Sequence, residues 1–299
     1  MGLCDGRVVV VTGAGRGVGR AYALMLAAEG ARVVVNDLGG STAGDGSDTA
    51  PAHSVVEEIR AAGGEAIADA SDVADWDQAA GLIETAIARF GALDVLINNA
   101  GILRDRMLVN MSEADWDAVI RVHLKGTFAP THHAANYWRL ESKAGRARDA
   151  RIINTTSASG LWGNIGQGNY AAAKAGIASL TLVAARELQR IAVTVNAIAP
   201  RAESRMTEGL TELTDEARAR RDPEWIAALV TWLASPAAAD ISGRVFEAWG
   251  NGYAIAQGWQ HGPIMPATRD PGQVEQGLRH ILGAASLNQH YERDVWIDP

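Results

Sequence analysis

Arg7-Val8-Val9-Val10-Val11 runs directly into Thr12-Gly13-Ala14-Gly15-Arg16-Gly17-Val18-Gly19, and the chain then takes up helical periodicity through Tyr22, Leu24, Met25 and Leu26 as far as Gly30. A run of β-branched residues without alternation is what a strand covered on both faces requires. Glycines after such a strand let the backbone turn tightly and approach a pyrophosphate, whose charge meets the N-terminus of the following helix. Gly13, Gly17 and Gly19 spell T-G-x-x-x-G-x-G, one residue removed from the dinucleotide pattern G-x-G-x-x-G. A glycine cluster alone also fits a plain tight turn, and its place between strand and helix is what points it toward a phosphate. Strand–helix units repeat along the chain without a compositional break. The expected fold is therefore α/β, a doubly wound parallel sheet of about seven strands flanked by helices in a single domain.

The second strand, Ala31 to Asn36, ends at Asp37. A carboxylate there accepts hydrogen bonds from the ribose hydroxyls of an adenosine and repels a 2′-phosphate, although a loop-capping Asp has the same appearance. Arg16 pulls the other way, since a guanidinium in the glycine loop can pair with that phosphate. A buried carboxylate facing a phosphate costs more than an exposed arginine returns, so NAD is expected in preference to NADP. Beyond the third strand, Ala66 to Asp69, Asp72-Val73 stands where an adenine edge would be held, or where a cap for the next helix would sit.

Tyr170 and Lys174 lie four residues apart in Gly168-Asn169-Tyr170-Ala171-Ala172-Ala173-Lys174, and Ser157 lies thirteen residues upstream. On a helix, positions i and i+4 share a face, so an ammonium sits beside a phenol there. Free tyrosine titrates near ~10, and a neighbouring cation moves it toward the range where general acid/base work at neutral pH is efficient. Only three of the 27 basic residues, Lys125, Lys143 and Lys174, are lysines, so a chain that otherwise uses arginine has the smaller, tunable cation at this point. The bare pattern Tyr-x-x-x-Lys also fits a helix with Tyr in the core and Lys in solvent.

The glycine loop, Asn98-Asn99-Ala100-Gly101 after the fourth strand, Ser157, Tyr170-x-x-x-Lys174 and Asn196-Ala197-Ile198-Ala199-Pro200 follow one another in an order and spacing that resembles the short-chain dehydrogenase/reductase family. Val35 to Gly40, Gly101 to Arg106, Val122 to Gly126, Ser157 to Gly160, Gly163 to Gln167 and Ser204 to Thr207 are similar to its (3R)-hydroxyacyl-CoA dehydrogenase branch. That branch includes the dehydrogenase unit of peroxisomal multifunctional enzyme type 2 and stand-alone bacterial relatives. The resemblance implies a Rossmann-type sheet over residues 1–260, a substrate lid at about 201–222, and a C-terminal extension, 261–299, packed on the same domain or on a neighbouring subunit. It implies Ser157, Tyr170, Lys174 and His123 as catalytic residues. It implies Gly13, Arg16, Gly17, Val18, Gly19, Asp37, Asp72, Val73, Asn99, Ala100, Gly101, Tyr170, Lys174 and Pro200 as cofactor contacts. His123 takes the place of a relay Asn of the wider family, and Arg201 replaces the usual Gly after Pro200. A histidine at that place either shuttles protons near neutrality or is satisfied in the core. The implied reaction moves a hydride between NAD and the C3 oxygen of a 3-hydroxyacyl-CoA with a fatty or sterol side chain. The alternatives are an NADPH-dependent 3-oxoacyl-ACP reductase, a hydroxysteroid dehydrogenase and a catalytically silent cofactor-sensing scaffold. Members of the family pair through two long helices, here Glu113 to Trp138 and Tyr170 to Arg190, so a homodimer or homotetramer is expected.

Composition restricts other readings. A net charge of -8 with dispersed basic residues argues against nucleic acid, and the single cysteine, Cys4, excludes an internal disulfide. No apolar run approaches the ~20 residues of a membrane span. Arginine-rich, alanine-rich usage and the absence of a peroxisomal address at Asp298-Pro299 fit a cytoplasmic bacterial enzyme. His132-His133 lacks metal-ligand spacing, and no metal is expected. Trp162, with Trp249 and Trp259, is placed to line a substrate cleft or to pack in the core. Gly39 to Thr49 reads as a loop that covers the adenosine end or stays on the surface. The positive loop Glu141 to Ala150 reads as a solvated loop or a contact for CoA phosphates.

Overall fold

The computed structural model describes residues 2–202, 219, 221–250 and 252–286. Seven parallel strands form in chain order: β1 (Val8–Thr12), β2 (Arg32–Asn36), β3 (Glu65–Asp69), β4 (Val95–Asn98), β5 (Ala150–Thr155), β6 (Val193–Pro200) and β7 (Val245–Trp249). An eighth, β8 (Gly252–Ile255), folds back antiparallel on β7, so the sheet has one strand more than the parallel set read from the sequence. The order is β3-β2-β1-β4-β5-β6-β7-β8.

The helices are α1 (Gly17–Ala28), α2 (Ala50–Ala61), α3 (Trp76–Phe90), α4 (Glu113–Ile120), α5 (Gly126–Lys143), α6 (Ala158–Trp162), α7 (Gly168–Leu188), α8 (Pro223–Ala234) and α9 (Pro271–Ala284). A π-helical turn, Arg121–Lys125, joins α4 to α5, so the long helix expected from Glu113 to Trp138 is interrupted in its middle. Such turns insert an extra residue into the ladder and re-aim the side chains around them.

Side chains alternate across each strand, and both sets are apolar. Val9, Val11, Val33, Val35 and Ile97 pack against Tyr22 and Leu26 of α1, Val55 and Ile59 of α2, and Ile226 and Val230 of α8. Val8, Val10, Val34, Leu96 and Ile152 face the other way, onto Leu82 and Ile83 of α3, Trp138 of α5 and Ala184 of α7. Each such burial contributes about 1.5–3 kcal/mol, which is why the sheet needs helices on both faces. Trp138 satisfies its indole by donating to the Leu93 carbonyl at 2.7 Å. No described helix is long and apolar enough to cross a membrane.

The strand order reverses between β1 and β4, and connections leaving their carboxyl ends part in opposite directions. A crevice at that point is the consequence. The arginines of the 141–150 loop sit at the opposite, amino end of the strands. Arg146 pairs with Glu141 and Arg148 with Asp94, while Arg151, buried at the start of β5, bonds Asp149 and the Ser235 carbonyl. Their charge is neutralised within the fold and faces away from the crevice, so this loop does not meet ligand phosphates there. Of the lid expected at 201–222, residues 203–218 and 220 lie outside the described residues, as do 287–299 of the C-terminal extension. From residue 256 to 286 the chain is largely exposed and carries α9.

Candidate active site

The crevice encloses about 420 Å³ and brings together Gly13, Arg16, Gly17, Val18, Gly19, Asp37, Asp72, Val73, Asn99, Ala100, Gly101, His123, Ser157, Tyr170, Lys174 and Pro200. Every residue singled out as catalytic or cofactor-binding thus lines one cavity. Gly13 adopts a φ of +64°, and a Cβ there would lie 2.7 Å from the Ala100 Cα, so only glycine fits. The helix that follows, α1, has no side-chain cap and no acid in its first turn. By contrast α3, α4 and α8 are capped by Asp75, Ser112 and Asp222. The α1 terminus therefore presents uncapped N–H groups and a positive dipole end to the crevice.

The loop is pinned from β4. Thr12 Oγ1 accepts from the backbone N–H of Asn99 at 2.9 Å and of Ala100 at 3.1 Å, and the Asn99 amide donates to the carbonyls of Thr12 and Gly13. Asn99 thus acts on the shape of the cradle. Asp37 accepts from the N–H of Gly15 at 2.8 Å and of Gly39 at 2.7 Å, which fixes its carboxylate at the mouth of the cradle. Arg16, the cation that could have answered a 2′-phosphate, lies 3.9 Å from Asp48. Asp72 accepts from the Ala74 N–H at 2.9 Å and pairs with Arg121, while the cap of α3 is Asp75. The 39–49 segment bends over the crevice: the Leu103 N–H donates to Thr42 O at 2.9 Å, and Arg104 holds Ala43 O and Asp45.

The reacting half lies after β5 and on α7. Ser157 follows β5 and caps α6, accepting from the Ser159 N–H at 3.2 Å. Tyr170 and Lys174 sit one turn apart on α7, with the Lys174 Nζ 5.5 Å from the centre of the Tyr170 ring. Lys174 is 3 % exposed and donates to the Thr155 carbonyl at 2.6 Å. Burial pushes its ammonium down to about 7. His123, brought in by the π turn, stands edge-on to Tyr170 with ring centres 5.1 Å apart. Its Nε2 lies 2.7 Å from the Ile102 carbonyl, and a Cβ on Gly101 would strike its ring. Burial, then the nearby Lys174 charge, push the imidazole down to about 3, so it stays neutral where a shuttle would have to change charge.

Several site residues stand out in the sequence only as parts of the stretches that carry the resemblance, with no role assigned to them there. Gln167 accepts from Ser159 Oγ and from the Asn164 amide and donates to Asp105, and all four line the crevice. Burial raises the Asp105 carboxyl above its usual range against the opposing Gln167 bond. Asn169, fully buried, donates to the carbonyls of Arg104 and Asp115 and ties the start of α7 to the opposite wall. Behind the site Asn98 bridges Thr131 to Asn154, which donates to Thr181. Long-range polar pairs of this kind have no period to betray them. Of the three tryptophans, Trp162 donates to Glu247 beside the site and Trp249 lines a small neighbouring cavity, but Trp259 is 91 % exposed and lines neither of these two cavities.

The sequence profile described as short chain dehydrogenase matches residues 7–217. Hydroxyacyl-CoA dehydrogenase ChsB1 of Mycobacterium tuberculosis is 48% identical over 256 residues, covering 82% of this chain and 78% of that protein. Peroxisomal multifunctional enzyme type 2 of Drosophila melanogaster is 45% identical over 294 residues, covering 98% of this chain and 45% of that protein. The chain thus spans between about a quarter and about half of the length of the multifunctional relatives it matches. The crystal structure of a short chain dehydrogenase from Mycobacterium avium superposes with a TM-score of 0.88 at 57% identity, covering 97% of this chain and 99% of that one. With the glycine cradle, the Ser157, Tyr170 and Lys174 cluster and these matches in agreement, the chain belongs to the short-chain dehydrogenase/reductase family of oxidoreductases.

Proposed function

We propose that the chain is an NAD-dependent dehydrogenase that oxidises the C3 hydroxyl of a (3R)-3-hydroxyacyl-CoA thioester, whose acyl part is a fatty chain or a sterol side chain. The observation that carries this reading is that Ser157, Tyr170 and Lys174 line the same crevice as the glycine loop and Asp37. The name of ChsB1, a hydroxyacyl-CoA dehydrogenase, supports the substrate class.

The residues fit a dinucleotide. Gly13 and Gly17 hold positive φ values beside the uncapped start of α1, an arrangement suited to a pyrophosphate. Gly13, Arg16, Gly17, Val18 and Gly19 would hold the phosphates, Asp37 the adenosine ribose, Asp72 and Val73 the adenine, and Asn99, Ala100, Gly101, Lys174 and Pro200 the nicotinamide half. The Asp37 carboxylate opposes a 2′-phosphate, and Arg16 is turned toward Asp48, both of which favour NAD. When bound, NAD supplies the hydride acceptor, the part of the chemistry that no side chain can provide.

Tyr170 takes the hydroxyl proton as phenolate, and Lys174 keeps it poised to do so. Ser157 donates to the substrate oxygen as its charge changes, an interaction worth more in a dry site than in water. His123, neutral, fixes Ile102 and the edge of the Tyr170 ring. A homodimer or homotetramer paired through α5 and α7 belongs to the same reading, since Phe128, Leu182 and Val183 leave an apolar surface on those helices. The test is a spectrophotometric screen of NAD and NADP reduction with (3R)-3-hydroxyacyl-CoAs of graded length, steroid side chains included. Turnover with NAD is expected. Activity confined to NADPH and acyl-carrier thioesters would identify a reductase instead, and no turnover with any thioester rejects the substrate class.

A further inference from the structure

Beside the crevice lies a second cavity of about 50 Å³, lined by Ser157, Ala158, Pro200, Arg201, Glu247 and Trp249. Its size is the first constraint. The space is far smaller than the main crevice and has room for a small polar group. Ser157 belongs to the walls of both spaces, which makes the small cavity a neighbour of the reacting oxygen.

Glu247, on β7, is the group that needs an explanation. It is 6 % exposed, and the hydrogen bond it makes is the one it accepts from Trp162 Nε1 at 3.2 Å. Among the described residues it makes no ion pair, although Arg201 lines the same cavity. A carboxylate stripped of water and answered by one neutral donor is costly. Burial accordingly raises the Glu247 carboxyl above its usual range, against the Trp162 bond. Burial with one neutral donor favours the protonated form of this carboxyl, the form that can donate, and the Trp162 indole occupies one of its oxygens.

We propose that Glu247, braced by Trp162, donates a hydrogen bond to the thioester carbonyl of the substrate and thereby selects 3-hydroxyacyl thioesters over simple secondary alcohols. The inference rests on the thioester reading above. In a 3-hydroxyacyl thioester one methylene separates the carbonyl carbon from the carbon that bears the hydroxyl. A substrate held by Ser157 at its hydroxyl therefore has its carbonyl within reach of the cavity next door. A buried donor left without its acceptor also penalises any substrate lacking that oxygen, which gives a stronger discrimination than apolar contact does.

The experiment compares the unchanged enzyme with Glu247→Leu, Glu247→Gln and Trp162→Phe. Two substrates are used, a (3R)-3-hydroxyacyl-CoA and the matching 3-hydroxyalkyl thioether, which keeps the alcohol and lacks the carbonyl. Glu247→Leu should raise KM for the thioester by about tenfold, the loss of one hydrogen bond. Glu247→Gln, which retains a donor, should stay within about threefold, with Trp162→Phe between them. The thioether has no oxygen for the carboxyl to meet, so Glu247→Leu should handle it at least as well as the unchanged enzyme does, with no rise in its KM. An unchanged thioester KM in Glu247→Leu, an equal loss on the thioether, or a rise confined to the KM for NAD would overturn the inference and leave the functional reading standing. No thioester turnover by the unchanged enzyme would overturn both. A Glu247→Leu protein that does not fold leaves the decision to the other two, where a Trp162→Phe KM equal to the unchanged enzyme's counts against the proposal.

Discussion

The ammonium of Lys174 lies 5.5 Å from the centre of the Tyr170 ring while donating at 2.6 Å to the carbonyl of Thr155. One lysine therefore connects the end of β5 to the phenol on α7, and it does so from a position with almost no contact with water. The arrangement is costly to the fold and useful to the chemistry.

That cost has a pH signature. Burial lowers Lys174 from 10.5 to about 7, so between those values the unfolded chain holds more protons than the folded one. Stability from this group therefore rises with pH across that window, and the full cost of burying an ammonium is present below it. Lys174→Met removes the cost. Its melting temperature should gain most on the unchanged protein below pH 7, and the gain should shrink toward pH 10.5. Turnover should fall by ~10²-fold or more, since the phenol loses its cation. Thermal melts of both proteins across this range check the point, and a pH-independent difference would count against it.

Asp37 has two jobs that substitution can separate. It accepts from Gly15 and Gly39 and it faces the place of the ribose. Asp37→Ala leaves two backbone donors unanswered and should cost about 1–3 kcal/mol of stability. It should also relax the choice of cofactor, improving kcat/KM with NADP by about tenfold relative to NAD as the repulsion disappears. Asp37→Asn keeps an acceptor, so it should relax the preference with a smaller loss of melting temperature. If both variants keep the original preference, selection lies elsewhere in the cradle.

Much of this was legible because it repeats locally. Val8 to Val11 can only be a strand covered on both faces, and Gly13 with Gly17 can only be a turn that L side chains resist. The spacing of Tyr170 and Lys174 is a helical spacing, and the helix is there. What was illegible depends on contacts across the chain. Gln167 meets Asp105 across 62 positions, and Trp162 meets Glu247 across 85. The extra strand β8, Gly252–Ile255, is only four residues long, too short for its alternation to stand out. The π turn at Arg121–Lys125 also hid inside an otherwise regular helical pattern, and it is what puts His123 on Tyr170.

His123 gives a prediction of the same pH sense in a lower, acid window. Its folded value, about 3, lies below the ordinary 6.5, so the unfolded chain takes up a proton first as pH falls. Stability is then lost progressively from pH 6.5 downward. His123→Gln keeps a donor for the Ile102 carbonyl and removes the titration, so its acid melting limb should be shallower. The pH–rate profile near neutrality should keep its shape in this variant. A limb that vanishes with the histidine would show that His123 changes charge during turnover after all.

Ser157 and Tyr170 should behave as one unit toward the substrate oxygen. Tyr170→Phe removes the base and should lower kcat by ~10²–10⁴-fold with little change in KM. Ser157→Ala removes a donor to the same oxygen and should cost about 10²-fold. Because each group depends on the other's hold on one atom, the double variant should be little worse than Tyr170→Phe alone. Ser157 also caps α6 through the Ser159 N–H, so its removal carries about 1 kcal/mol of stability that Tyr170→Phe does not. Ser157→Thr keeps both the cap and a hydroxyl and should recover the melting temperature and much of the turnover. If the two single losses multiply in the double variant, the serine and the tyrosine act on different steps, and the shared-oxygen arrangement is wrong.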